Sequence, residues 1–167
     1  MSSDPTEHSQ WRALRLLQQS LDAEIARIYA ETGIRGLKPS FVMELLRLHA
    51  RGPMTIRQLA DSVQRTHSAI SQKISAMQAA GLVRTTNGPD GRSKNLVLTA
   101  KARRIVGQLQ AEWRATEKAI TELEAEIPYP LSAVITDINE ALKRKSFHDR
   151  IAEKLAADPT WNEPTRN

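Results

Sequence analysis

The chain contains no cysteine, which excludes a disulfide framework, a thiolate metal site and a thiol-based redox switch. Aromatic residues are scarce: three Trp, two Tyr and two Phe leave the core to Leu, Ile and Ala. No apolar run approaches the roughly 18 residues that a membrane-spanning helix requires. The opening stretch MSSDPTEHSQ lacks the basic and apolar regions of a secretion signal. These absences predict a cytoplasmic protein with no membrane partner. Catalytic signatures are missing too. His8, His49, His67 and His148 are scattered, with no His-x-x-x-His pair, no Gly-rich phosphate loop and no Gly-x-Ser-x-Gly turn. An enzyme is therefore not expected, nor a metal, nor a cofactor.

What is present is a chain of 167 residues, 40% apolar and 26% charged, the size and balance of one globular domain. Its net charge of +5 is unevenly distributed. Residues 1–46 carry a balance of −1, residues 47–104 carry +9 and residues 105–167 carry −3. A basic block between two mildly acidic ones suits a surface that meets a polyanion, nucleic acid above all. A solvated basic face is the plainer alternative, and charge alone does not separate the two.

Hydrophobic periodicity places the elements. Leu14, Leu17, Leu21, Ile25, Ile28 and Tyr29 recur every three or four residues, predicting a long first helix that Gly33 and Gly36 end. Ser40 is expected to cap a second helix built on Phe41, Val42, Leu45, Leu46 and Leu48. TIRQLADSV predicts a third helix of about two turns with Thr55 as its cap, and HSAISQKISAMQAAG a fourth, closed by Gly81. Two short β-rich runs, LVRTT and KNLVLT, flank the turn-rich NGPDGRS and predict a hairpin. Thr99 then caps a helix of about seven turns, PYP interrupts the pattern, and a last helix from Leu131 is kinked or loosened around KRKSFHD.

Two short helices joined by a tight turn and followed by a hairpin make a winged helix-turn-helix, whose second helix enters the DNA major groove. The fold class expected is mainly α with a small β-hairpin wing, framed by long N- and C-terminal dimerisation helices. Base readout is assigned to Thr66, His67, Ser68, Ala69, Ser71 and Gln72, where hydroxyl and amide groups meet base edges and Ala69 meets a thymine methyl. In the wing, Arg92 is the cation for a narrow A·T-rich minor groove, with Asp90 bracing the tip or pairing with a nearby Arg, and Lys94 beside it. Thr55, Arg57, Arg65, Lys73 and Arg84 are the candidates for backbone contacts.

From Gly36 to Thr99, the ordered set GLKPSFVMELLRLHARGPMTIRQLA, THSAISQKISAMQAAGLVRT and PDGRSKNLVLT resembles the MarR family of transcriptional regulators. Asp90-x-Arg92 followed by LVLT matches that family's wing pattern. The resemblance implies a homodimer whose first and last helices interlock, placing paired winged domains on a pseudo-palindromic operator. The expected organisation is a dimerisation helix in 1–35, the winged domain in 36–100, dimerisation helices in 101–157 and a flexible tail in 158–167. It also implies a ligand-responsive repressor, its small-molecule effector held between the DNA-binding and dimerisation parts; Trp11, Leu14, Phe41, His49 and Trp113 are the candidate lining. The rival reading is a winged helix that docks proteins without touching DNA. Such a module would carry apolar or acidic residues on the outer side of the fourth helix, where this chain has Ser, Gln and His.

Overall fold

The computed structural model describes residues 4–88 and 93–162. One compact unit runs up to Trp113 and a second begins at Arg114. In the first, a 3-10 turn (Pro5–His8) starts where the Asp4 carboxylate accepts from the Thr6 amide at 2.8 Å. Helix α1 (Arg12–Glu31) follows, and its buried residue is Tyr29, whose hydroxyl donates to Glu112 Oε2 at 2.9 Å. Burial and the neighbouring carboxylate together raise the Tyr29 pKa.

Helix α2 (Val42–Arg51) does not begin as the sequence suggested. A 3-10 turn (Pro39–Phe41) precedes it, Phe41 sits at the cap position, and no side chain closes the first turn. Proline fixes the backbone into the tight turn, so Ser40 lies inside that turn and its carbonyl, not its hydroxyl, finds a partner. Helix α3 (Ile56–Ser62) opens on a full capping box: Gln58 N–H donates to the Thr55 hydroxyl and Thr55 N–H to the Gln58 side chain. It ends in a left-handed residue, Gln64 at φ 53°, with Arg65 N–H donating to Ala60 O and Gln64 N–H to Asp61 O. That is a Schellman closure without the usual glycine.

Helix α4 (His67–Ala79) closes in the same way on Gly81, at φ 69°, so the chain reverses directly into strand β1 (Val83–Asn87). Strand β2 (Lys94–Leu98) pairs with it antiparallel, from Val83 opposite Leu98 to Asn87 opposite Lys94. Alternation puts Val83, Leu96 and Leu98 in the core, and the Met54 backbone bridges to Leu96, pinning the link before α3 to the wing. Leu45, Leu59, Ile70, Ile74, Met77, Leu82, Leu96 and Leu109 are fully buried around this frame. Helix α5 (Ala100–Ala125) starts where the Thr99 hydroxyl accepts from the Ala102 amide, and buries Ala102, Val106 and Leu109 in the first unit.

In the second unit, the Glu124 carboxylate takes the Ser132 amide at 2.8 Å and the Ser132 hydroxyl at 2.7 Å, stapling the start of α6 (Leu131–Arg144). Those bonds hold Glu124 below the usual carboxylate range. The loosening expected near KRKSFHD is a full break: Lys145 is extended and Ser146 caps a separate helix, α7 (Phe147–Ala156). Arg150 braces the corner by donating to the Ala141 and Lys145 carbonyls. Pro159–Asn162 (α8) form one further turn, entered by a bond from the Thr160 amide to Asp158; residues 163–167 of the expected tail lie outside the described residues. Neither α6 nor α7 buries a residue, and Ile120, Leu123, Val134, Ile135, Phe147 and Ile151 are exposed.

Candidate nucleic-acid interface

Helix α4 is anchored by Ile70, Ile74 and Met77, which are wholly buried. Helical geometry then turns the opposite side outward. Thr66, His67, Ser68, Ala69 and Gln72 are exposed and Ser71 is half-buried, so the six residues assigned to base readout share the first two turns and the cap of one helix. The Thr66 hydroxyl accepts from the Ala69 amide at 3.2 Å, a cap that fixes where the helix begins. No acid occurs anywhere in α4.

Cations flank this neutral face. Arg57 on α3, Arg65 in the turn, and Arg84 and Lys94 on the strands are all exposed. Among the described residues none of these four forms an ion pair. Thr55 is half-buried, its hydroxyl and amide both engaged in the α3 capping box.

Lys73 departs from its expected place among the backbone contacts. Its Nζ lies 2.7 Å from Glu44 Oε1 and 2.8 Å from the Ser40 carbonyl, directed into the protein. The reason is Glu44: this carboxylate is 1% exposed on α2, and a buried anion requires a counter-charge. Its other oxygen, Oε2, has no hydrogen-bond partner among the described residues. Glu44 is a residue the sequence reading passed over, although an acid among Val42, Leu45 and Leu48 on an inward face is a signal in principle.

The wing is tied to α4 directly, because Gln78 Nε2 donates to the Thr85 hydroxyl at 2.9 Å. At the other end of the hairpin, Gly88 N–H donates to Ser93 O at 2.8 Å. Asp90 and Arg92 lie outside the described residues. Behind α4, the Lys101 ammonium reaches the Ala80 carbonyl at 2.8 Å and the Thr99 hydroxyl the Gly81 carbonyl at 2.7 Å. The C-terminal end of α4 is thus joined to the start of α5.

The residues expected to line an effector cleft occupy different surroundings. Trp11 is 57% exposed, Phe41 is in the core and Leu14 is half-buried. His49 lines a cavity of about 200 Å³ with Leu48, Pro53, Val97, Leu98 and Arg103. Trp113 lines a different one, of about 430 Å³, with Met43, Leu46, Arg47, Ala50 and Arg51. Among the described residues no group of three or more His, Asp or Glu is placed to hold a metal ion, and no helix is long and apolar enough to cross a membrane.

A family model described as HVO_A0114 matches residues 42–105, from α2 into α5. No curated protein matches the chain. Solved structures do. The chain is similar to MepR of S. aureus, crystallised as a DNA complex, with 16% identity and a TM-score of 0.61 over 80% of this chain and 98% of that one. It is similar to the transcriptional regulator MosR of M. tuberculosis in complex with DNA, with 19% identity and a TM-score of 0.57 over 82% and 99%. It is also similar to the PcaV transcriptional regulator of Streptomyces coelicolor, bound to its natural ligand, with 18% identity and a TM-score of 0.57 over 87% and 99%. Matched over nearly the whole of those chains, this protein has the winged helix-turn-helix fold of the MarR family of transcriptional regulators.

Proposed function

We propose that the protein is a sequence-specific, double-stranded-DNA-binding transcriptional regulator that acts as a homodimer on a pseudo-palindromic operator. The observation that carries this reading is the acid-free, exposed polar face of α4, flanked by the exposed cations Arg57, Arg65, Arg84 and Lys94. In the major groove, Ser68, Ser71 and Gln72 exchange hydrogen bonds with base edges, Ala69 contacts a thymine methyl, and the flanking cations take phosphates. Arg92 enters the neighbouring minor groove, with Asp90 bracing it. MepR and MosR were crystallised on DNA with this fold, which supports the same use here.

The dimer rests on the apolar residues that the single chain leaves in water. Ile120, Leu123, Val134, Ile135 and Ile138 are each more than a third exposed, as are Leu17 and Leu21 on α1, and a second copy would cover them. The regulator acts as a repressor that a small effector releases. The cavity beside Trp113 offers an indole, two guanidiniums and an apolar floor from Met43 and Leu46, which suits an aromatic carboxylate. Selection of bound duplexes from random sequence tests the proposal: recovery of a two-fold-symmetric consensus supports it, and recovery of none removes it. Release of that duplex by aromatic acids tests the effector, and no release by any member of the class removes that part.

A further inference from the structure

The Lys73–Glu44 pair lies outside the contact surface just described, yet it holds the reading helix at its centre. Lys73 falls midway along α4 (His67–Ala79). Its ammonium makes one bond to the 3-10 turn before α2, at the Ser40 carbonyl at 2.8 Å, and one to the first turn of α2, at Glu44 Oε1 at 2.7 Å. Among the described residues, the other side-chain hydrogen bonds that tie α4 to neighbouring elements lie at its C-terminal end, from Gln78 to Thr85, from Lys101 to the Ala80 carbonyl and from Thr99 to the Gly81 carbonyl, while the Thr66 hydroxyl caps the helix from within. Between those ends α4 otherwise rests on Ile70, Ile74 and Met77, whose apolar contacts have no preferred direction.

From this we infer that Lys73 and Glu44 form a strut that fixes the position of α4 on its domain and so sets how sharply the helix discriminates bases, without either residue touching DNA. The inference rests on the DNA-binding reading. Were Lys73 to swing out to a phosphate, Glu44 would remain buried with neither oxygen partnered, since Oε2 already lacks a partner. An uncompensated buried charge costs far more than one exposed phosphate contact returns. Lys73 is therefore a positioning residue. An apolar pair of similar volume would pack as well, but it would permit sliding that a directed, charge-assisted hydrogen bond forbids.

The test uses the full chain as wild type, as Lys73→Met, and as the double variant Lys73→Met with Glu44→Leu. Each is unfolded in urea, and each is titrated over a range of salt with the duplex recovered by selection and with a shuffled duplex of the same composition. Lys73→Met is expected to lower the urea midpoint, and the double variant to restore it. The double variant should keep the wild-type salt slope and its affinity for the shuffled duplex. Its preference for the selected duplex should fall about tenfold, as for one mismatched base pair. A salt slope reduced by about 0.9 in either variant would mean that Lys73 neutralises a phosphate, and overturns the inference. Full recovery of the preference in the double variant overturns it also, since the pair would then be packing alone. A wild-type chain that binds neither duplex overturns the DNA-binding reading first, and the strut with it.

Discussion

Gln78, in the last turn of α4, donates through Nε2 to the Thr85 hydroxyl on β1 at 2.9 Å, so the reading helix and the wing are held to one another by a side-chain bond. Both residues are largely exposed, and such a bond contributes only about 0.5–1.5 kcal/mol to folding. Its consequence should appear in binding. Gln78→Ala is expected to leave the urea midpoint nearly unchanged while weakening base preference at the operator flanks, measured by competition between selected and flank-shuffled duplexes. Unaltered flank preference would show that the wing is positioned by the backbone ladder alone.

Arg92→Ala should lower affinity and relax the preference for A·T at the flanks without affecting folding, because a narrow minor groove concentrates negative potential and the substitution removes the cation that reads it. Equal competition by A·T-rich and G·C-rich flanks against the wild-type protein would remove the wing from readout.

Ser71→Ala and Gln72→Ala should change the central bases preferred, each by about 1–3 kcal/mol, with little change in salt dependence. The comparison of consensus sequences recovered by each variant checks this. A uniform loss of affinity on all duplexes would instead mark these side chains as backbone contacts.

Two helix ends of similar design carry different residues. Gly81 has φ 69° and Gln64 has φ 53°. An L side chain in that region costs about 1 kcal/mol, and a Cβ on Gly81 would meet nothing within 4 Å, so the backbone conformation alone decides. Gly81→Ala should therefore lower stability by about 1 kcal/mol and Gln64→Gly raise it by a similar amount. Urea unfolding of the two variants would show shifts of opposite sign; shifts of the same sign would contradict the assignment of these closures.

Tyr29 supplies a pH dependence. Its pKa is raised above the ordinary tyrosine value of 10.0 by burial and by Glu112, so the folded state keeps the proton that the unfolded chain releases. The stability Tyr29 contributes is complete below pH 10 and is lost as pH rises from there toward the folded-state pKa. Tyr29→Phe should be less stable at neutral pH by about 1 kcal/mol and should flatten the alkaline decline. An identical decline in both proteins would assign it to other groups.

The parts of this fold legible in the sequence are those fixed by neighbours along the chain. Thr55, Thr66 and Thr99 act as caps and Gly81 as the left-handed terminus because each works within four residues of itself. The alternation of β2 and the inward face of α4 were equally local. What escaped depends on distant partners. Lys73 reads as an exposed cation until Glu44, 29 positions earlier, is placed beneath it. Ser40 fails as a cap because the proline before it tightens the turn, and the last helix divides because Ser146 begins a new one. Gln64 carried no glycine to announce its turn. His49 and Trp113 line different cavities, a placement set by tertiary approach that no local pattern announces.

The central claim is that α4 and the cations around it form a surface for duplex DNA, and the salt dependence of binding tests it most directly. With the selected duplex, log affinity against log salt should fall with a slope of about −4 or steeper, because each phosphate neutralised contributes about −0.9 and Arg57, Arg65, Arg84 and Lys94 are exposed in each chain. A slope near zero, or no measurable binding at low salt, would contradict the account.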